Sequence, residues 1–94
     1  MSIIEEVRKE VLAIPTGRVA SYGDIGKRIG AGPRQVGRAM SLLDSGVPWW
    51  RVVYADGTPA SRHGGRAREL LNTEGTPMHG ARVDMERARH CWTP

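Results

Sequence analysis

The 94-residue sequence contains one cysteine, Cys91, and only two lysines, Lys9 and Lys27. A single thiol forms no internal disulfide and supplies no cysteine-rich zinc site. No apolar run approaches the ~20 residues that a membrane span needs. The start, Met1-Ser2-Ile3-Ile4-Glu5-Glu6, carries acid where a secretory signal has lysine, and no long apolar stretch follows. His79 and His90 lie near Cys91 in sequence without a second ligand pair or a carboxylate at familiar spacing, so neither a metal nor a cofactor is expected. These absences exclude a membrane protein, a disulfide scaffold, a zinc finger and a multidomain enzyme. The expectation is one small basic domain over residues 1–94, intracellular and cytoplasmic, associated with the nucleoid if bacterial. A chain of this size hides roughly 60–65% of its unfolded surface, enough for one modest core.

What is present is arginine. There are 14 basic and 10 acidic residues, for a net charge of +4 and an isoelectric point near 10.0, and all the basic residues but the two lysines are arginine. The guanidinium fork suits phosphate, guanine edges and aromatic faces. A small domain this basic often binds a polyanion. High-GC codon usage enriches arginine with no function attached, so charge alone points only weakly to nucleic acid. Hydrophobic residues at 39% and charged residues at 26% describe a globular chain rather than a disordered tail.

Ser2-Ile3-Ile4-Glu5 fits a capping box, and Ile4, Val7, Val11 and Ile14 recur at helical spacing until Pro15 stops the helix. Val19-Ala20-Ser21 reads as a short extended link, and residues 22–29 as a second helix with Ile25 and Ile29 on one face. Gly30-Ala31-Gly32 breaks it. Pro33 suits the first position of a third helix reaching about Leu43. Helix, glycine-bearing turn and helix form a helix-turn-helix pattern. After the loop Asp44-Ser45-Gly46, residues 51–54 read as a strand and Asp56-Gly57 as a hairpin-type turn. Residues 58–65 are irregular. A helix is expected over 66–73 with Gly75 near its end, and Asp84 is placed as the cap of a last helix to about His90. The fold class is therefore mainly α with a small β element, a winged-helix-like domain.

Three motifs occur in order. They are Ile14-Pro15-Thr16-Gly17-Arg18-Val19-Ala20-Ser21-Tyr22-Gly23-Asp24-Ile25, then Gly32-Pro33-Arg34-Gln35-Val36-Gly37-Arg38-Ala39-Met40, then Val47-Pro48-Trp49-Trp50-Arg51-Val52-Val53. Together they resemble the DNA-binding, active-site domain of the O6-alkylguanine-DNA alkyltransferases, over roughly residues 3–75. That family reads Ile-Pro-x-Gly-x-Val-x-x-Tyr-Gly, then Arg-x-Val-Gly-x-Ala, then Pro-Cys-His-Arg-Val. The sequence departs at the decisive position: the acceptor cysteine falls on Trp49 and the following histidine on Trp50. In the family, histidine draws the thiol proton and the thiolate attacks the alkyl carbon. An indole has no ionisable nucleophile; its N–H only donates a hydrogen bond. Alkyl transfer to this position is excluded on chemistry. Glu74 matches the glutamate that orients the family's histidine. With no histidine to orient, it is expected to be a structural helix-end charge or acceptor.

Tryptophan at the cysteine position looks like the alkyltransferase-like proteins, non-enzymatic relatives that bind O6-alkylguanine and flag it for nucleotide excision repair. Members commonly have Pro-Trp-His-Arg, from which Trp50 departs. The short chain, with no room for the N-terminal domain of many alkyltransferases, also fits that group. The resemblance implies a helix-turn-helix docked in the minor groove. Arg34 would enter the base stack where the flipped nucleotide was, and Tyr22 would press on the 3′ phosphate. Ser21 and Arg38 join them as DNA-binding candidates; Arg18, Arg28 and Lys27 are generic phosphate candidates. The lesion pocket would comprise Trp49, Arg62, Tyr22, Val52 and His63, with Arg62 stacked on the alkylguanine. Neighbours in an extended segment point opposite ways, so Trp49 is expected to face the pocket and Trp50 the core. Arg51 is expected to tie the loop to backbone carbonyls. Each residue also has a plainer reading: Arg34 as a solvent-facing helix residue, Tyr22 as a core aromatic, both tryptophans as packing, Arg62 as a phosphate contact and His63 as merely exposed.

The function implied is a damage sensor, not an enzyme. It would bind as a monomer to double-stranded DNA containing O6-alkylguanine and hand over to nucleotide excision repair proteins. An alkyl group adds apolar area and removes the guanine N1 proton, worth a few kcal/mol of selectivity at most. The rivals are a residual alkyltransferase using Cys91 or another lesion-processing enzyme, and a winged-helix transcription regulator, which would usually dimerise to read two half-sites.

Overall fold

The first helix begins where a serine hydroxyl meets an orphan amide. Ser2 accepts a hydrogen bond from the Glu5 N–H at 3.3 Å, the serine half of the expected capping box, and α1 runs Ile3–Leu12. The computed structural model describes residues 2–44 and 46–92; Met1, Ser45 of the expected loop, Thr93 and Pro94 lie outside them. Helix α1 buries Val7 and Val11 completely, and Ile14 follows them into the core just beyond its end. Each such residue contributes about 2 kcal/mol by leaving water.

Helix α2 (Tyr22–Ile29) has the bounds the sequence predicts. Its cap is a full reciprocal box: Asp24 N–H donates to Ser21 Oγ at 3.0 Å, and Ser21 N–H donates to the Asp24 carboxylate at 3.1 Å. The turn into α3 presses on α2. A Cβ at Gly26 would stand 2.4 Å from the Ala31 carbonyl oxygen, so only glycine lets the chain reverse this closely. Helix α3 (Pro33–Ser41) starts on Pro33 as expected but ends before Leu43. The amides of Leu42 and Leu43 bond three residues back, to Ala39 and Met40, and this tighter turn closes the helix. Val36, Ala39 and Met40 join Val7, Val11 and Ile25 in the main core.

The β element is smaller than predicted. Pro48 is followed by a 3₁₀ turn over Trp49–Arg51, and only Val52–Val53 (β2) is extended. Strand β2 pairs in parallel with β1 (Ala20–Ser21), Ala20 opposite Val52 and Ser21 opposite Val53. The segment expected to be irregular contains one tight turn, α4 (Arg62–Gly65), in which His63 and Gly64 leave helical geometry. Helix α5 (Ala67–Thr73) lies where expected.

A hairpin not anticipated from the sequence follows, β3 (Met78–His79) antiparallel to β4 (Arg82–Val83). The last helix, α6 (Met85–Ala88), is shorter than expected, and the Asp84 side chain makes no cap bond. Val19 explains the early end: it donates to the Ala88 carbonyl and accepts from His90 N–H, drawing the chain out alongside β1. Among the described residues no helix is long and apolar enough to cross a membrane.

Candidate nucleic-acid interface

The register of β1 against β2 builds the site. Ser21 opposes Val53, so the next residue of each strand, Tyr22 and Tyr54, emerge side by side. Their rings sit 5.3 Å apart at 50°. Tyr22, the first residue of α2, is buried, while Tyr54 is 48% exposed. Burial pushes the Tyr22 phenol above its ordinary value, with Tyr54 adding to the rise and the nearby Arg62 guanidinium pulling it partly back. Tyr22 therefore keeps its proton at working pH and can donate it to a phosphate.

Two neighbouring openings meet at this tyrosine pair. One, of about 350 Å³, is bounded on its far side by Met40, Leu43, Ser61 and His63. The other, of about 430 Å³, is bounded by Gly23, Pro33, Arg34 and Gly37. Arg62 reaches both, and its Nη1 is buried with no hydrogen-bond partner among the described residues. A buried guanidinium N–H without an acceptor is costly and is satisfied when a ligand brings one. Arg34, exposed at the second position of α3, borders the second opening from outside. The structure thus brings together Tyr22, Arg34, Arg62 and His63.

Other expectations are corrected. Ser21 is buried and its hydroxyl caps α2, so its side chain fixes where Tyr22 begins rather than presenting itself at the surface. Val52 lines neither opening; in β2 it is fully buried in the core cluster that also holds Trp49. Arg38 is exposed one turn beyond Arg34, outside both openings. Arg28 is engaged by Glu10 and lies 4.9 Å from the Trp92 ring, and Arg18 donates to the Arg87 carbonyl at 2.6 Å. Of the generic phosphate candidates, these two are already committed within the fold.

Trp49 lies beneath the first opening rather than on its wall. It is 6% exposed, and the His63 imidazole covers it with ring centroids 4.3 Å apart at 34°. Because the segment turns rather than extends, Trp49 and Trp50 do not face opposite ways: their rings meet edge to face at 5.7 Å and 88°. Trp50 packs against both core clusters, as expected for the packing member of the pair.

Arg51 explains the turn. Its guanidinium reaches inward to the Ile14 carbonyl (2.9 Å), to Thr16 Oγ1 (3.0 Å) and to both oxygens of Glu74 (3.0 and 2.6 Å). This ties the Pro48–Val52 segment to the end of α1 and the end of α5. Burial raises the Glu74 carboxyl, but hydrogen bonds from Arg51, with help from the adjacent Trp50 indole and the Arg51 charge, outweigh it and hold the group below its ordinary value. Glu74 is thus the structural acceptor that the sequence suggests.

Cys91 is exposed and lies at a separate opening beside Pro15, Arg18, Arg89 and His90. Tyr54, Met40, Ser41, Leu43 and Ser61 line the first opening and are missed by sequence reasoning. Met40 closes the second motif but reads there as a core residue, and Tyr54 reads only as the last residue of the predicted strand.

Residues 2–76 match the family model described as the 6-O-methylguanine DNA methyltransferase, DNA binding domain. The chain belongs to this family. A DNA base-flipping protein of Escherichia coli is 37% identical over 95 residues, covering 94% of this chain and 74% of that protein. Alkyltransferase-like protein 1 of Schizosaccharomyces pombe is 35% identical over 82 residues, covering 79% of this chain and 76% of that protein. The crystal structure of S. pombe Atl1 in complex with damaged DNA containing O6-carboxymethylguanine superposes over 100% of both chains, with a TM-score of 0.80 and 29% identity. The family also contains enzymes. The Mycobacterium tuberculosis O6-methylguanine methyltransferase is 38% identical over 79% of this chain and 48% of its own, with a TM-score of 0.68. Membership alone does not separate sensor from enzyme in this family; Trp49 at the acceptor position does.

Proposed function

We propose that this chain is a non-enzymatic sensor that binds O6-alkylguanine in duplex DNA by turning the alkylated nucleotide out of the helix. The observation that carries this reading is the convergence of Tyr22, Arg34 and Arg62 on adjoining openings above a tryptophan that replaces the nucleophile. Helix α3 presents Arg34 where a guanidinium can fill the vacated stack. Tyr22 offers a protonated hydroxyl on a buried ring to the backbone phosphate. The unpartnered Arg62 N–H meets an acceptor on the everted base, and its guanidinium face stacks on the ring. His63 borders the opening, and Arg38 contacts phosphate.

The reading is supported by the E. coli relative's name as a DNA base-flipping protein and by the S. pombe Atl1 complex with damaged DNA. The same reading has residues 1–94 act as one domain and as a monomer, in the cytoplasm or on the nucleoid, with the bound lesion passed to nucleotide excision repair proteins. No cofactor takes part.

The test is a fluorescence-anisotropy titration at fixed salt of two duplexes, one with a single O6-methylguanine and one with guanine there. Intact mass spectrometry of the protein follows. Tighter binding to the lesion with unchanged protein mass is expected. Equal affinities overturn the sensor reading, and a gain of one methyl group overturns the non-enzymatic one, with Cys91 the first acceptor to examine.

A further inference from the structure

Tyr54 has no part in the reading above, yet with Tyr22 and Arg62 it is one of the residues common to both openings. A nucleotide that leaves the stack beside Arg34 and ends in the first opening, over Trp49, has to cross this shared rim. On it Tyr22 is 7% exposed and Tyr54 is 48% exposed, so Tyr54 is the tyrosine that meets solvent.

The ring stands on a fixed support. Tyr54 N–H donates to the Thr58 carbonyl at 3.0 Å, and its own carbonyl accepts from Gly57 N–H at 2.8 Å. Asp56 braces the same turn by accepting from both the Thr58 amide and the Thr58 hydroxyl. Gly57 is pinned against β4: it has φ +90°, and a Cβ there would come within 2.3 Å of the Val83 carbonyl oxygen. On one side the ring rests against Tyr22. A half-exposed aromatic on a backbone held this firmly loses little freedom when it is covered.

We propose that Tyr54 is a direct contact to the everted nucleotide. Its ring face takes the deoxyribose, and its hydroxyl donates to the adjoining phosphate. This rests on the nucleotide-turning function proposed above, and it adds a residue that lies outside the three sequence motifs. Because the contact forms only with the everted nucleotide, it separates damaged from undamaged DNA. Because tyrosine brings no basic charge, it leaves the salt dependence of binding unchanged.

The native protein supplies the test. The chain has two tyrosines, and the buried Tyr22 is shielded from reagent, so tetranitromethane with peptide mass spectrometry reads Tyr54. Saturating O6-methylguanine duplex is expected to slow Tyr54 nitration several-fold, and undamaged duplex at equal occupancy to slow it much less. In the anisotropy titration, Tyr54→Ala is expected to weaken lesion binding by about 5–100-fold, the scale of one aromatic contact to nucleic acid. Tyr54→Phe is expected to weaken it by about tenfold, the scale of one hydrogen bond to a charged group, with the salt slope unchanged. Nitration that is unaffected by bound lesion duplex overturns the proposal. Equal protection by both duplexes also overturns it, because Tyr54 then contacts the duplex surface instead of the everted nucleotide. If the wild-type chain shows no preference for the lesion, the proposed function itself falls and takes this contact with it.

Discussion

The His63 imidazole lies on the Trp49 indole, ring centroids 4.3 Å apart and planes 34° apart. His63 is also the one non-glycine with positive φ among the described residues, at +56°. A left-handed histidine costs on the order of 1 kcal/mol, which the stack on Trp49 helps to offset. A base that rests on Trp49 takes the place this imidazole now occupies.

Removing the ring should therefore favour the lesion. His63→Asn keeps a side chain that tolerates left-handed backbone and leaves Trp49 uncovered. O6-methylguanine duplex should bind about 2–10-fold tighter, the equivalent of one aromatic stack. Anisotropy titration checks it. Weaker binding would mean that the imidazole stays in place as a wall of the occupied pocket.

Arg34 and Arg38, one turn apart on α3, should fail differently. On the proposed function Arg34 fills the vacated stack, so Arg34→Ala should lower lesion binding by about tenfold or more, with a smaller loss on undamaged duplex. On the same proposal Arg38 contacts phosphate, so Arg38→Ala acts on backbone binding alone. It should weaken both duplexes alike and lower the slope of log K against log salt by about 1. Titrations of both duplexes over a salt series separate the two roles, and equal behaviour of the variants would contradict the assignment.

Restoring the thiol alone should not restore alkyl transfer. In Trp49→Cys the neighbouring Trp50 cannot take a proton, and Glu74 is held by Arg51. Intact mass spectrometry after incubation with O6-methylguanine duplex should show methyl uptake at least about 100-fold slower than in the double variant with Trp50→His, the usual gain from a positioned base. Comparable rates in the two variants would show that the thiol needs no partner here.

Acid should weaken the fold in two stages. His90 is held below its ordinary 6.5 by burial first, then by the Arg18 and Arg28 charges. A base with a depressed folded pKa gains protons on unfolding, so its contribution is complete above pH 6.5 and declines as the pH falls from there toward the folded value. Glu74 is held below 4.5, so its contribution is complete above that pH and is lost as the pH falls through its folded pKa. Thermal melts followed by circular dichroism should show both declines. His90→Asn should remove the upper one and Glu74→Gln the lower. At neutral pH, Glu74→Gln leaves Arg51 without its counter-charge and should cost about 3 kcal/mol, lowering Tm by more than about 10 °C. A neutral-pH Tm unchanged by Glu74→Gln would show that the pair does not hold the segment.

Local chemistry made much of the fold readable. Ser21 and Asp24 cap α2 from within one turn of sequence, and Pro33 starts α3, so those beginnings needed no tertiary information. The core residues Val7, Val11, Ile25 and Val36 were visible for the same reason, because an apolar stripe at helical spacing has to be buried somewhere. The ends of elements were not visible. Helix α6 stops because Val19, far away in sequence, binds Ala88 and His90, and the predicted strand shortens because Arg51 turns inward to Glu74 and Ile14.

The same division runs through the candidate site. The sequence by itself determined that no nucleophile occupies the acceptor position, because tryptophan has none to offer, and that Tyr22 and Arg34 stand at the starts of the two helices of a helix-turn-helix. Tertiary structure alone decided that Tyr54 stands beside Tyr22, that Arg62 reaches both openings, and that Trp49 lies covered by His63 rather than open. The reason is physical. A side chain's chemistry travels with its residue, whereas its neighbours across space depend on strand register and on backbone turns set by residues distant in the chain.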